Sequence, residues 1–199
     1  MLYYGLQLQL MVYLDAAMAM QKRFSEQKET VPAGIFYYHM QDPFLEKEEG
    51  MTQEEIDRAM QKKLRLDGVV NSRKDILSAM DASLADGTES LVIPAGIKKD
   101  GMLLSRSSVL STEAFAQAER FVRGRMTGEG NRILKGEVAP SPYRLGSRTA
   151  CDYCDYADVC GFDKKLPGMR ERRLAPLKEE EAWKKILEEG GDPDGGELD

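Results

Sequence analysis

An α/β domain is what this sequence predicts, on three observations. A long apolar segment opens the chain, a β-branched and aromatic run follows at Val31–Met40, and capped amphipathic segments then alternate with strand-like ones. That alternation sets helices against a sheet. A cluster of cysteines late in the chain stands apart from these, the mark of a local ligand set rather than another layer of core. At 199 residues with 42% hydrophobic and 31% charged side chains, the chain has the composition of one ordinary globular domain, with or without appendages.

Leu2–Arg23 is apolar on most sides, with Leu6, Leu8, Leu10, Met11, Val12 and Leu14 close together. Its length favours a helix, and its all-round hydrophobicity predicts burial in a larger structure. The abrupt start at Met1-Leu-Tyr-Tyr4 reads like a cut through a larger protein. Gln9 and Tyr13 lie four apart and share one helix face. Taken alone, they are either a polar pair facing a cleft or a helix that happens to carry a Gln and a Tyr. Ser25–Thr30 is a polar loop. Val31–Met40 is a strand, with His39 near its end as a structural side chain, and Gln41-Asp-Pro43 breaks it.

Thr52-Gln-Glu-Glu55 is a capping box, with Met51 and Ile56 placed as its hydrophobic staple. The helix behind it carries Ile56, Ala59, Met60 and Leu64 on one stripe and ends before Asp67-Gly68. Ser72-x-x-Asp75 starts a second short helix with Ile76, Leu77 and Met80 inward. The pair reads as a surface excursion from the sheet whose role is packing.

Leu91–Ile97 and Met102–Arg106 form a β-hairpin around the turn Lys98-Lys-Asp-Gly101. Lys98, Lys99 and Arg106 make a small basic strip, either simply solvated or suited to a phosphate backbone. Ser111-Thr-Glu113 opens a long helix with Phe115, Ala118, Val122, Met126, Ile133 and Leu134 roughly on one face. Gly124, Gly128 and Gly130 weaken it by about 1 kcal/mol each, which predicts a kink or break, and Gly136 is its stop. Pro140–Tyr143 is extended. After the basic run Arg170–Arg173 comes a helix over Lys178–Glu189, packing Trp183, Ile186 and Leu187 and supported by Glu180–Lys184 and Glu181–Lys185 pairs. From Gly190 the Gly, Pro and Asp content predicts disorder.

All three cysteines, Cys151, Cys154 and Cys160, fall within ten positions as C-x2-C-x5-C. Such thiolate clusters hold zinc or an iron–sulfur centre. Three ligands do not complete either site, so the fourth is His39, an exogenous ligand or a cysteine elsewhere. The competing reading is three buried, unliganded thiols packed as small hydrophobes. A disulfide framework fits poorly, because the count is odd.

No apolar run approaches the roughly 20 residues that span a bilayer, so no membrane association is expected. The net charge of −6 argues against nucleic-acid binding through bulk positive charge, although not against a local basic strip.

Several stretches together resemble the C-terminal nuclease region of the AddB-type subunits of bacterial AddAB ATP-dependent helicase–nucleases. They are Tyr4-Gly-Leu-Gln-Leu-Gln-Leu-Met-Val-Tyr13, Val31-Pro-Ala-Gly-Ile35, Leu91–Gly101 and, most specifically, Pro142–Cys160. The resemblance runs from about Tyr3 to Arg173. It implies a partial PD-(D/E)xK nuclease fold of the RecB-like branch, with a mixed sheet, flanking helices and a C-terminal cysteine (iron–sulfur) loop. The expected organisation is a nuclease core over 1–140 with a helical insertion at about 44–82, a cysteine segment over 141–175, and a short helix with an acidic tail over 176–199.

Gln9 and Tyr13 match the Q-x3-Y helix motif of that branch, in a supporting role at the active-site face. Cys151, Cys154 and Cys160 match three of the four ligands of a [4Fe–4S] cluster, whose fourth cysteine lies far upstream in the family and has no counterpart here. The Mg²⁺-holding carboxylates of PD-(D/E)xK nucleases also precede the motif helix. Glu26-Gln-Lys28 and Asp163-Lys-Lys165 match the acidic-x-Lys pattern trivially, but both fall in polar, loop-like segments after that helix and are rejected. No catalytic residue is therefore expected in this chain. The parent is expected to be a cytoplasmic exonuclease acting on DNA ends in double-strand break repair by recombination, with an AddA-like helicase–nuclease partner. Lys98, Lys99 and Arg106 would give weak DNA contacts. The alternative is a zinc-binding interaction module built on the cysteines and His39.

Overall fold

The computed structural model describes residues 1–24, 29–40, 43–45 and 50–191. Its contacts divide the chain into two units: Gln9–Glu119, and Met1–Leu8 together with Arg120–Asp199. The loop expected at Ser25–Thr30, the break at Gln41–Pro43 and the disordered tail fall wholly or partly outside the described residues, as does Glu26-Gln-Lys28.

In the first unit, helix α1 spans Gln9–Phe24 rather than starting at Leu2. The residues before it make a separate short 3-10 turn, Leu2–Tyr4, closed by Gly5 at φ 74°. Burial of α1 within this chain is limited. Met11 is its one buried residue, while Tyr13 is 60% and Phe24 79% exposed. α1 packs against strand β1 (Gly34–Tyr37), and that contact covers a single stripe of the helix.

Helix α2 (Gln53–Lys63) begins as its sequence dictates. The Thr52 hydroxyl accepts from the Glu55 N–H at 3.3 Å, and the Glu55 carboxylate accepts from the Thr52 N–H at 2.9 Å. Between α2 and the expected second helix lies strand β2 (Asp67–Asn71), which sequence reading passes over. β2 is the centre of the sheet, in the order β1-β2-β3 with β3 at Val109–Leu110. It runs antiparallel to β1 (Gly34↔Val70, Tyr37↔Asp67) and parallel to β3 (Val70↔Val109). The sheet is therefore mixed, as expected. Gly68, read as a helix stop, instead lets two strands approach: a Cβ there would meet the Ile35 carbonyl oxygen at 2.1 Å.

Helix α3 (Lys74–Met80) starts two residues after Ser72, which does not cap it. The Asn71 side chain serves the entry instead, accepting from the Arg73 N–H at 3.0 Å. Ile76 and Leu77 are buried, and Leu77 joins Val70, Leu84, Ile93, Ala95 and Ile97 in one core. The 91–106 hairpin is shortened: the Ile97↔Leu103 pairing closes the Gly101 turn, while Gly96 pairs back with Glu89 outside it. Its base is fixed by Asp81, whose carboxylate accepts from the Ser83 N–H and hydroxyl and, at 2.5 Å, from the Ser90 hydroxyl.

Helix α4 (Thr112–Leu134) opens with the Ser111 hydroxyl accepting from the Ala114 N–H at 3.0 Å. It runs through Gly124, Gly128 and Gly130 as one helix, without the break the glycines could have made. Helix propensity is a weak prior beside the hydrogen bonds of a 23-residue helix. Gly136 at φ 78° ends it as predicted: its N–H reaches the Ile133 carbonyl, and the Glu137 N–H reaches that of Arg132.

The second unit holds a small sheet that sequence reading also misses, in the order β5-β4-β6, from Tyr143–Leu145 (β4), Arg148–Thr149 (β5) and Arg172–Leu174 (β6). β4 pairs antiparallel with β5 and parallel with β6. Between β5 and β6 lie the cysteines and a single-turn helix, α5 (Ala157–Cys160). Helix α6 (Glu179–Gly191) buries Ile186 and packs on the Leu2–Tyr4 turn, where the Tyr3 hydroxyl donates to Glu189 at 2.8 Å. The expected Glu180–Lys184 and Glu181–Lys185 pairs do not form. Lys184 reaches Glu188 at 3.8 Å, and Lys185 lies over the Tyr3 ring. Among the described residues no helix is long and apolar enough to cross a membrane.

Candidate functional site

Gln9 and Tyr13 are brought together as the helix spacing requires. The Gln9 amide donates to the Tyr13 hydroxyl at 2.8 Å, on the exposed side of the first two turns of α1. The bond orients both polar groups as one unit. It leaves the rest of the Gln9 amide and a hydroxyl lone pair available to a group outside.

Lys98, Lys99 and Arg106 line a groove of about 770 Å³ in the Gln9–Glu119 unit. Across from them stand Arg58, Lys62 and Arg65, from α2 and the turn after it. Sequence reading gives that helix a packing role only and misses these three cations. Their signal is the i, i+4 spacing of Arg58 and Lys62 on the polar face of α2. Their meeting with the 98–106 segment is set by the fold, which brings distant residues to one groove.

The two carboxylates of the groove are already engaged. Glu89 accepts from Arg106 at 2.7 Å and from Arg65 at 2.9 Å, which holds its carboxyl below the usual range. Glu55 is tied to Thr52 by its capping bonds, backbone N–H first, and is likewise lowered. Arg106 is thus committed to Glu89. Arg58, Lys62, Lys98 and Lys99 are exposed and have no described carboxylate within ion-pair distance.

Thr149 and Asp152 build the cysteine turn. The Asp152 carboxylate accepts from the Thr149 N–H and hydroxyl, both at 2.8 Å, and the Thr149 oxygen accepts from the Cys151 N–H at 3.1 Å. Cys151 and Cys160 are exposed, Cys154 is half-buried, and all three are free thiols. The reading of three buried, unliganded thiols fails on that exposure. Tyr153, between the first two, is 98% exposed. The base of the loop is closed by β4–β6 pairing and by a bidentate Arg144–Glu171 bridge, both bonds at 2.7 Å. Among the described residues no group of three or more His, Cys, Asp or Glu is disposed to hold a metal ion.

Residues 1–161 match the model of the PD-(D/E)XK nuclease superfamily, and the chain belongs to that family. It is also similar to curated proteins named as the B-type subunit of an ATP-dependent helicase/deoxyribonuclease. That of Lachnoclostridium phytofermentans is 40% identical over 94% of this chain and 17% of the relative. That of a Thermoanaerobacter species is 36% identical over 99% of this chain and 17% of the relative. That of Listeria welshimeri is 38% identical over 95% and 16%. The chain thus spans 16–17% of the length of these relatives.

Proposed function

We propose that this chain is the C-terminal nuclease portion of a bacterial helicase–deoxyribonuclease subunit. In that reading the parent degrades DNA ends in the cytoplasm, during double-strand break repair by recombination, with an AddA-like partner subunit. The observation that carries the proposal is the nuclease-family match over residues 1–161, together with the name borne by relatives at 36–40% identity.

PD-(D/E)xK cleavage uses carboxylates to hold a divalent ion, generally Mg²⁺, that activates the attacking water. We place those carboxylates in sequence outside these 199 residues. Asp163-Lys-Lys165 is a poor substitute. Its Asp163 carboxylate accepts from the Lys165 N–H at 2.8 Å, as a local turn does, rather than standing on a strand. Gln9 and Tyr13 then act as positioning residues at the edge of the site. The C-x2-C-x5-C run would offer three thiolates to a [4Fe–4S] cluster, with the fourth ligand from elsewhere.

The test is direct. Linear duplex and single-stranded DNA are incubated with the purified chain and Mg²⁺. No cleavage above background is expected. Cleavage that survives stringent purification and is lost on Asp163→Ala or Glu26→Ala would place the catalytic site inside this chain and overturn the proposal.

A further inference from the structure

The groove between α2 and the 98–106 segment has a charge arrangement that packing does not explain. Six cations line it against two carboxylates, in a chain whose net charge is −6. Both carboxylates are bound inward, Glu89 by two arginines and Glu55 by its helix cap. Four cations from two separate segments face the open space with no described counter-charge: Arg58 and Lys62 on one wall, Lys98 and Lys99 on the other. Like charges converging on one concavity repel, and a fold bears that cost where an anion relieves it.

The rest of the lining is partly apolar: Ala59, Leu91, Ile97 and Leu104 stand with Thr88 and Ser90 among the cations. An occupant with charged edges and an apolar or π-faced middle suits that section better than a small, fully hydrated anion. The paired Glu89 has a second effect: it pins Arg65 and Arg106 as a fixed rim, so the four remaining cations are the adjustable ones.

We propose that this groove is a track for the phosphodiester backbone of a nucleic acid, with Arg58, Lys62, Lys98 and Lys99 making the phosphate contacts. The choice of DNA over another polyanion rests on the nuclease-subunit reading; the groove's preference for a polyanion does not. On this view α2 is a binding wall as well as a packing element.

The experiment is anisotropy of a fluorescein-labelled oligothymidylate and of a labelled duplex, titrated with the 199-residue chain at several salt concentrations. Four phosphate contacts predict a slope of log K against log salt of about −3, so affinity falls roughly fifty-fold between about 50 and about 200 mM salt. The variant Lys98→Glu with Lys99→Glu removes two contacts, which roughly halves the slope and lowers low-salt affinity at least about ten-fold. The control variant, Lys135→Glu with Lys178→Glu, makes the same charge change away from the groove and is expected to bind like the parent chain. All four positions are exposed, so folding is retained, and circular dichroism checks it.

DNA binding that the groove variant leaves unchanged overturns the groove proposal while the nuclease-subunit reading stands. A chain that ignores DNA at low salt yet binds labelled poly-glutamate, with that binding lost in the groove variant, makes the groove an acidic-peptide site; this overturns the DNA assignment and removes its support from that reading. Binding of neither polyanion overturns the groove proposal outright.

Discussion

Asn71→Ala is expected to destabilise the Gln9–Glu119 unit by about 4 kcal/mol, a large fraction of the stability of an ordinary domain. Asn71 is fully buried at the end of β2. Its amide donates to the Pro32 carbonyl at 2.8 Å and to the Thr112 hydroxyl at 3.0 Å, and its oxygen accepts from the Arg73 N–H. One side chain thereby ties the approach to β1, the entry to α3 and the first turn of α4 to the central strand. Truncation removes three hydrogen bonds and leaves three polar partners facing a small cavity, each costing about 1–3 kcal/mol if unpaired. In a chain of this size the melting temperature should fall by about 10 °C. Asn71→Asp should not rescue it, because it loses both amide donations and buries a charge beside the Pro32 carbonyl. A loss under about 1 kcal/mol for Asn71→Ala would mean that this junction is held by something other than Asn71.

The second large effect concerns metal content. On the cluster reading proposed above, three thiolates would hold three corners of a [4Fe–4S] cube and leave the fourth iron open to loss and oxidation. Cys151 and Cys160 are exposed, so oxidant reaches the site without any opening of the fold. Aerobically purified chain should therefore carry far less than one cluster per chain, with adventitious zinc in its place in some molecules. Anaerobic reconstitution should raise iron and sulfide together, and brief exposure to air should lose both. The base of the loop should survive that loss, because β4–β6 pairing and the Arg144–Glu171 bridge close it without metal. A stoichiometric, air-stable cluster would show that the fourth ligand is not missing and would require a different ligand set.

The features legible ahead of the structure are those local in sequence. The α2 capping box, the Gly136 stop and the Gln9–Tyr13 pairing each depend on residues three to five apart, and each is found as expected. β2 escapes because its Asp67-Gly68 opening looks like a helix stop. Its Val69-Val70-Asn71 remainder is too short for an alternation to show, since it is buried throughout. β3 and β6 are two or three residues long and gain their identity only from partners far off in the chain, while β5, paired with β4 across Gly146-Ser147, is too short at two residues to show an alternation. The groove shows the same limit: half of its cations stand together in sequence as a strip, and the other half sit on α2 and the turn after it, about 40 residues earlier. The all-round hydrophobicity of α1 is read as burial in a larger structure. Within this chain one stripe is covered, and Tyr13, Met20 and Phe24 are exposed.

The central claim is that these residues supply supporting parts of a nuclease, with the metal-holding carboxylates elsewhere. Direct metal binding tests it more closely than activity, because it does not depend on substrate or partner. Mn²⁺, which substitutes for Mg²⁺ at oxygen-ligand sites and is seen by electron paramagnetic resonance when free, is titrated into the cysteine-blocked chain. The account predicts only weak, non-stoichiometric uptake in the millimolar range, unchanged by Asp163→Ala. One tight Mn²⁺ per chain, with micromolar affinity and lost on substitution of a single carboxylate, would contradict it.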